Sequence, residues 1–304
     1  MRSKEKNIKR ILIVGSSNMD MVAKVDRFPN PGETILGGRF LMNPGGKGAN
    51  QAVAVFRLGG NVDFITKLGN DSIGDQIIEL YKAEGLDTQL VLRDDENPTG
   101  VAIITVDKQA ENSIVVASGA NANLTPEDIE QLSERIQLAD FVLLQLEIPL
   151  ETIKYVVDLA YSLGKKVIVN PAPFAKLPKS ILGKLYGITP NQIEAEMLSG
   201  TKITNENDVE LAARQIYTLG VKNVVITLGA SGAYIFNGEG KKVSAQKTKA
   251  IDTTAAGDVF NGGLLVALSE GQDLETAVNF ASKAAAIAVS RQGAICSIPY
   301  RKEI

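Results

Sequence analysis

The stretch Asp252-Thr253-Thr254-Ala255-Ala256-Gly257-Asp258 places a carboxylate directly after a turn of small residues, where a helix is about to begin. Phe260, Leu264 and Leu268 follow at four-residue spacing and Gly271 supplies a stop, so residues 259–268 are predicted to be helical. The amides of Ala255, Ala256 and Gly257 are then expected to point unpaired N–H groups beyond the helix start. Such a site attracts anions, phosphate above all. A carboxylate beside a phosphate pocket is electrostatically unfavourable unless it has a task. The expected task of Asp258 is to accept the proton of a hydroxyl that attacks phosphorus. The helix N-terminus favours its charged form, so ionisation at neutral pH is expected.

Other polar residues stand where α/β folds bind ligands. Asn18 and Asp20 follow the opening apolar run at a spacing of two, which puts both on one side of an extended chain. An Asx turn accounts for the pair equally well. Asn43-Pro44-Gly45-Gly46-Lys47-Gly48-Ala49-Asn50 is a flexible loop feeding a helix over residues 49–58. Its glycines are expected to let backbone approach a ligand, with Lys47 and Asn50 aimed at one locus. It is neither a Walker A motif nor a dinucleotide fingerprint. Glu147 ends the run 141–146, in the ligand crevice or simply in solvent. Asn191 opens a further helix, either as its cap or as a contact for a nucleotide phosphate or its metal. Thr227-Leu228-Gly229-Ala230-Ser231-Gly232 is either a hairpin turn or a surface for a flat ligand.

The elements that must position these groups are legible as short apolar runs at 11–14, 62–66, 141–144, 166–169 and 224–227. They are continuous rather than alternating, as in strands buried on both faces. Helical patterns separate the later ones. Thr125-Pro126-Glu127-Asp128 caps a helix carrying Ile129, Leu132 and Ile136 on one face, and further helices span 150–163, 208–219 and 274–291. Alternation of strand and helix predicts an α/β fold, a mostly parallel sheet covered on both sides. Residues 18–43 and 96–118 break the rhythm. They are expected to form a small inserted β-sheet, a lid on a single domain spanning 1–304, with flexible surface loops as the alternative.

Composition excludes much. The 304 residues contain no histidine and one cysteine, which removes histidine-based catalysis, histidine zinc sites, internal disulfides and cysteine clusters. A net charge of −3 offers no basic field for nucleic acid or an anionic membrane. The basic N-terminus (Arg2, Lys4, Lys6, Lys9, Arg10) leads into too short an apolar run for a secretory signal, and no run is long enough to span a membrane. A soluble tail and a cytoplasmic protein are expected.

Taken together these residues resemble the ribokinase-like carbohydrate kinase family. The resemblance rests on Gly45-Gly46-Lys47-Gly48-Ala49-Asn50-Gln51-Ala52 and on the stretch from Asp252 through Asp258 to Val259-Phe260-Asn261-Gly262. Ser17-Asn18-Met19-Asp20, Pro31-Gly32-Glu33-Thr34, Gln145-Leu146-Glu147, Asn170-Pro171-Ala172-Pro173, Thr189-Pro190-Asn191 and Thr227-Leu228-Gly229 extend it over nearly the whole chain. It implies a Rossmann-like domain with a β-sheet lid, often the surface of a homodimer. It implies transfer of the ATP γ-phosphate to the 5-hydroxyl of D-ribose. Asn18, Asp20, Gly46, Lys47, Asn50 and Glu147 would hold the sugar. Asp258 would be the base, with Ala255, Ala256 and Gly257 as the anion hole. Asn191, residues 227–232 (Thr227, Leu228, Gly229, Ala230, Ser231, Gly232) and Gly257 would hold ATP, which brings Mg²⁺. A monovalent cation, usually K⁺, would be held by Asp252, Thr254, Ala288, Arg291, Gly293 and Ser297. Val259 stands where the family often has Thr, Thr254 where it often has Ile, and Ala294-Ile295-Cys296 departs from the usual cation loop. Deoxyribose, fructose, a keto-deoxy sugar acid or a nucleoside are alternative substrates. A non-catalytic sugar or nucleotide sensor and a nicotinamide oxidoreductase are alternatives of other classes.

Overall fold

The computed structural model describes residues 9–109 and 111–304. Residues 1–8 of the expected basic tail lie outside them. The first half of the chain runs β1 (Arg10–Val14), β2 (Asn18–Lys24), β3 (Arg39–Gly45), α1 (Lys47–Arg57), β4 (Asn61–Gly69), α2 (Ser72–Glu84), β5 (Val91–Asp94), β6 (Gly100–Val106), β7 (Asn112–Ala117), α3 (Pro126–Gln131), α4 (Ser133–Leu138) and β8 (Phe141–Leu144). The second half runs α5 (Leu150–Ser162), β9 (Lys166–Val169), α6 (Lys179–Leu182), β10 (Gly187–Ile188), α7 (Gln192–Ser199), α8 (Glu206–Thr218), β11 (Val224–Thr227), β12 (Ala233–Phe236), β13 (Gly240–Val243), α9 (Ala256–Ser269) and α10 (Leu274–Ala288).

A nine-stranded sheet has the order β13-β12-β11-β10-β9-β8-β1-β4-β5. Pairing is parallel from β11 through β5 and antiparallel at β12 and β13. Apolar side chains are buried on both faces of the central strands, in one cluster with α1, α9 and α10 and another with α3 to α8. The continuous apolar runs 141–144, 166–169 and 224–227 coincide with β8, β9 and β11. The α/β fold with a second small sheet is therefore the one expected.

Two details differ from the sequence pattern. The expected helix through Ile129, Leu132 and Ile136 is two short helices. The Leu132 N–H reaches back three residues to the Ile129 carbonyl, which tightens and ends α3. The 208–219 helix begins earlier, at Glu206, because Asn205 caps it reciprocally with Asp208.

The second sheet has the order β3-β2-β6-β7 and comes from the two segments that break the strand–helix rhythm. Its register sets Met21 beside Met42 and Ile103, and Ile103 beside Val115. Neighbouring Phe40 also stands open to solvent, as do Met42, Ile103 and Val115.

The site depends on a close approach of α1 and α9. A Cβ at Gly262 would lie 2.6 Å from the Ala54 Cβ, so glycine lets the two helices touch. That contact lays the start of α9 against the start of α1. Among the described residues, no helix is long and apolar enough to cross a membrane.

Candidate active site

Asp258 sits in the first turn of α9 and is 7% exposed. Two amides from the first turns of α1 hold it. Asn50 Nδ2 donates to Oδ2 at 2.9 Å, and Gln51 Nε2 donates to Oδ1 at 2.9 Å. Burial pushes the Asp258 carboxyl up. The Lys47 ammonium and the two amide donors oppose that rise, but the net direction is upward. The helix-terminus argument predicted an easily ionised acid; the loss of hydration outweighs it.

Sequence reasoning expected three free amides at the start of α9. The Ala256 N–H instead donates to the Thr253 carbonyl at 3.2 Å. The turn that makes this bond takes up one donor of the three. Ala255 has φ 59°, the one left-handed non-glycine residue among those described. Such a conformation costs about 1–3 kcal/mol and clusters at functional sites.

Lys47 opens α1, and its ammonium lies 3.9 Å from Glu147 Oε1. Burial would push this ammonium down, but Asp258, Glu147, Glu194 and Asp20 hold it above the ordinary lysine value. Glu147 Oε2 accepts from the Ser16 hydroxyl at 2.5 Å and the Lys47 N–H at 3.1 Å. Asn18 and Asp20 lie in β2, on the extended chain their spacing suggested. Burial, then the charge of Glu147, pushes Asp20 up to about 7, with Asp258 adding and Lys47 opposing. Asn121 Nδ2 donates to Asn18 Oδ1 at 2.8 Å, which leaves the Asn18 Nδ2 group as the donor it can offer a ligand.

The glycine loop before α1 also brings stretches of the chain together. Gly46 has φ 91°, and a Cβ there would lie 2.8 Å from the Asn18 amide nitrogen. A Cβ at Gly45 would lie 2.4 Å from Asp20 Oδ2. The close approach is of chain to chain, because β3 and β2 pair to their very ends.

Two cavities meet at the start of α9. One, of about 220 Å³, is lined by Lys47, Asn170, Asn191, Glu194 and residues 255–258. The other, of about 480 Å³, lies between residues 227–232, the stretch 245–250 and α10, with Phe260 and Gly257 in its wall. Thr227 and residues 256–257 border both. Gly229, Ala230 and Gly232 thus belong to the turn of the β11–β12 hairpin and to the cavity wall at once, while Leu228 and Ser231 of the same turn do not line it. Asn191 does cap α7, accepting from the Glu194 N–H at 2.9 Å, and still lines the smaller cavity. Glu194, pushed up by burial, faces Lys47 and Asp258 there.

The residues proposed for a monovalent cation are partly gathered. Asp252 accepts from the Thr254 amide and hydroxyl at 2.9 and 2.6 Å, and from the Gly293 amide at 2.9 Å. Partial burial opposes these bonds, yet they hold its carboxyl below the ordinary range. The Ala288 carbonyl accepts from the Arg291 N–H at the end of α10. The Arg291 side chain turns away to Glu303, and the buried Ser297 hydroxyl turns to the Ala294 carbonyl.

Sequence reasoning missed Gln51, Thr253 and Asn261, and gave Glu194 and Asn170 no place in a site. Gln51 and Asn261 were visible only inside motifs whose other members drew attention. Nothing in their local spacing marks them, since the Gln51 head group and the Asn261 oxygen find their partners on other elements.

The match of the chain to the pfkB family carbohydrate kinase model covers residues 8–301. A ribokinase from Haemophilus influenzae is 42% identical over 296 residues, covering 97% of either chain. A crystal structure of ribokinase from Thermotoga maritima matches with TM-score 0.89 and 45% identity over 97% of each chain. The structure of Arabidopsis thaliana ribokinase complexed with ribose and ATP matches with TM-score 0.91 and 32% identity, covering 97% of this chain and 96% of that one.

Proposed function

The chain belongs to the pfkB family of carbohydrate kinases, and from that premise we propose that it phosphorylates D-ribose at the 5-hydroxyl, using ATP and releasing ADP. The observation that carries this reading is Asp258, a buried carboxylate fixed by two amides in the wall of the smaller cavity, next to Gly257, which borders both. We assign the larger cavity to the nucleotide, with Thr227, Leu228, Gly229, Ala230, Ser231, Gly232 and Gly257 around it. We assign the sugar to Asn18, Asp20, Gly46, Lys47, Asn50 and Glu147. Asn50 suits the role. Its Nδ2 is spent on Asp258, and its buried Oδ1 has no protein partner, so it can accept from a hydroxyl.

Asp258 is too weak a base to ionise an alcohol in the ground state. It takes the proton as the bond to phosphorus forms, a contribution of about 10²–10⁴-fold. The amides of Ala255 and Gly257 and the Lys47 ammonium meet the charge on the transferred group, and positioning supplies much of the rest. Asn191 and Glu194 are the groups we place beside a magnesium ion bound with ATP, which would supply charge neutralisation of the phosphate oxygens. Asp252, Thr254, Ala288, Arg291, Gly293 and Ser297 are the residues we propose around a potassium ion, largely through backbone carbonyls. The second sheet is the lid, and its exposed apolar row is the surface of a homodimer. A cytoplasmic location follows from the need for ATP.

The test is a coupled assay of ADP release with ribose, 2-deoxyribose, fructose and nucleosides, run in potassium and again in sodium. The highest kcat/KM is expected for ribose, with more activity in potassium. A preference for a nucleoside overturns the ribose assignment, and equal rates in the two salts overturn the cation assignment.

A further inference from the structure

We propose that Gln51 is a positioning residue for the reaction, holding the Asp258 carboxylate ionised and aimed through a chain of buried amides that crosses the sheet's ligand edge. This rests on the reading of Asp258 as the base.

Gln51 is fully buried in α1 and touches neither cavity wall. Its Nε2 group has two hydrogens and two acceptors, Asp258 Oδ1 at 2.9 Å and Asn170 Oδ1 at 3.1 Å. Its Oε1 accepts from Gln145 Nε2 at 2.5 Å. Both hydrogens and the oxygen of the head group therefore have partners, and a flip would set oxygen against carboxylate. The chain continues on the far side. Asn170 Nδ2 donates to the Thr189 carbonyl at 3.1 Å, the Thr189 hydroxyl lies 2.6 Å from Asn261 Oδ1, and Asn261 Nδ2 donates to the Gly257 carbonyl at 2.8 Å. The chain thus starts at Asp258 and returns to α9 one residue before it. Five elements or their ends contribute: α1, β8, β9, β10 and α9. Gln145 Oε1 is left without a partner, but every other link is made, and such buried networks favour one geometry because each broken link strands a polar group.

A chain of neutral amides suits this place. Lys47, Glu147, Asp20 and Glu194 all face Asp258, so another charge would perturb its titration, whereas an amide donor favours the carboxylate without adding charge. Loss of the Gln51 donor must therefore move the Asp258 titration to higher pH.

The experiment measures kcat and both KM values across pH for Gln51→Met and Asp258→Asn beside the unaltered enzyme. For Gln51→Met we expect kcat at neutral pH to fall about tenfold or more, because a hydrogen bond to a charged group is lost. The acid limb of kcat should move up by about one pH unit, with the KM for ATP little changed. If Gln51→Met does not fold, Gln145→Met reads the same point. It leaves Gln51 in place but frees its amide to turn, and a smaller upward shift is expected. An acid limb unmoved in the folded variant, with Asp258→Asn inactive, overturns the proposal and leaves the base assignment standing. Near-normal turnover in Asp258→Asn overturns the base assignment itself.

Discussion

Asn50 and Asp258 lie 208 residues apart in the chain and 2.9 Å apart in space. The contact joins the first turns of α1 and α9, one carrying the glycine-rich motif and the other the small-residue turn. It gives the carboxylate an orientation and leaves one polar atom of Asn50 for a ligand. Asp258→Asn keeps the size of the side chain and removes its capacity to take a proton. Turnover is expected to fall at least ~100-fold. Ribose and ATP binding, followed by calorimetry, should survive. Near-normal kcat in this variant would remove Asp258 from the chemistry.

Asp20 links the sugar site to stability. Its carboxyl titrates at about 7 in the folded protein against 3.8 when unperturbed, chiefly because it is buried and faces Glu147. The native state therefore holds a proton that the unfolded chain has released. The stabilising contribution is full below about pH 4, where both states are protonated, and is lost as pH rises through about 7. Asp20→Asn removes this liability. In the absence of sugar, the variant should melt above the unaltered protein at pH 8, and the gap should close near pH 4. Its ribose binding should weaken sharply at every pH. A melting difference independent of pH would show that the buried charge is not the cause.

How much of this was open to reading in the sequence depends on how far each signal reaches. The strands β8, β9 and β11 were legible because their apolar runs are continuous and short. Asp258 was legible because a helix start follows a small-residue turn. Gln51 was not, since its role exists only where α1 meets α9 and β9. The upward pull on Asp258 was not legible either. Proximity to a helix start is a local property, while burial is a sum over elements distant in the chain. The glycines of the 45–48 loop signalled close approach correctly, but not what approaches. The answer lies in the pairing of β3 with β2.

Gly45 therefore offers a test of the sugar site that removes no polar group. A Cβ at this position would fall 2.4 Å from Asp20 Oδ2 and 2.8 Å from Oδ1. The carboxylate must move, and small misplacements of a binding group are costly. Gly45→Ala is expected to raise the KM for ribose about tenfold or more, on the scale of one charged hydrogen bond. The KM for ATP should change little, because neither Gly45 nor Asp20 lines the larger cavity. An equal rise in both KM values would indicate a general loosening of the fold instead.

The small sheet presents an apolar row that is open to solvent at Phe40, Met42, Ile103 and Val115, while Met21 at its inner end is partly buried against the core. Met21, Met42, Ile103 and Val115 are cross-strand neighbours on one face, and Phe40 extends the row. Ile103 is 53% exposed, Val115 62% and Phe40 60%. A contiguous apolar surface of this kind is a mark of an interface. A second copy of the chain suits it, since the same row on both partners is self-complementary about a two-fold axis. Ile103→Glu places a charge at the centre of the row, where pairing would bury it without a partner. Sedimentation velocity should show a dimer for the unaltered protein and a monomer for the variant, with the melting temperature of the monomer's α/β core little changed. The KM for ribose should rise in the variant, because β2 carries both the row and Asn18 and Asp20. A monomeric unaltered protein at micromolar concentration would dismiss the interface, and a dimeric Ile103→Glu would place it on another face.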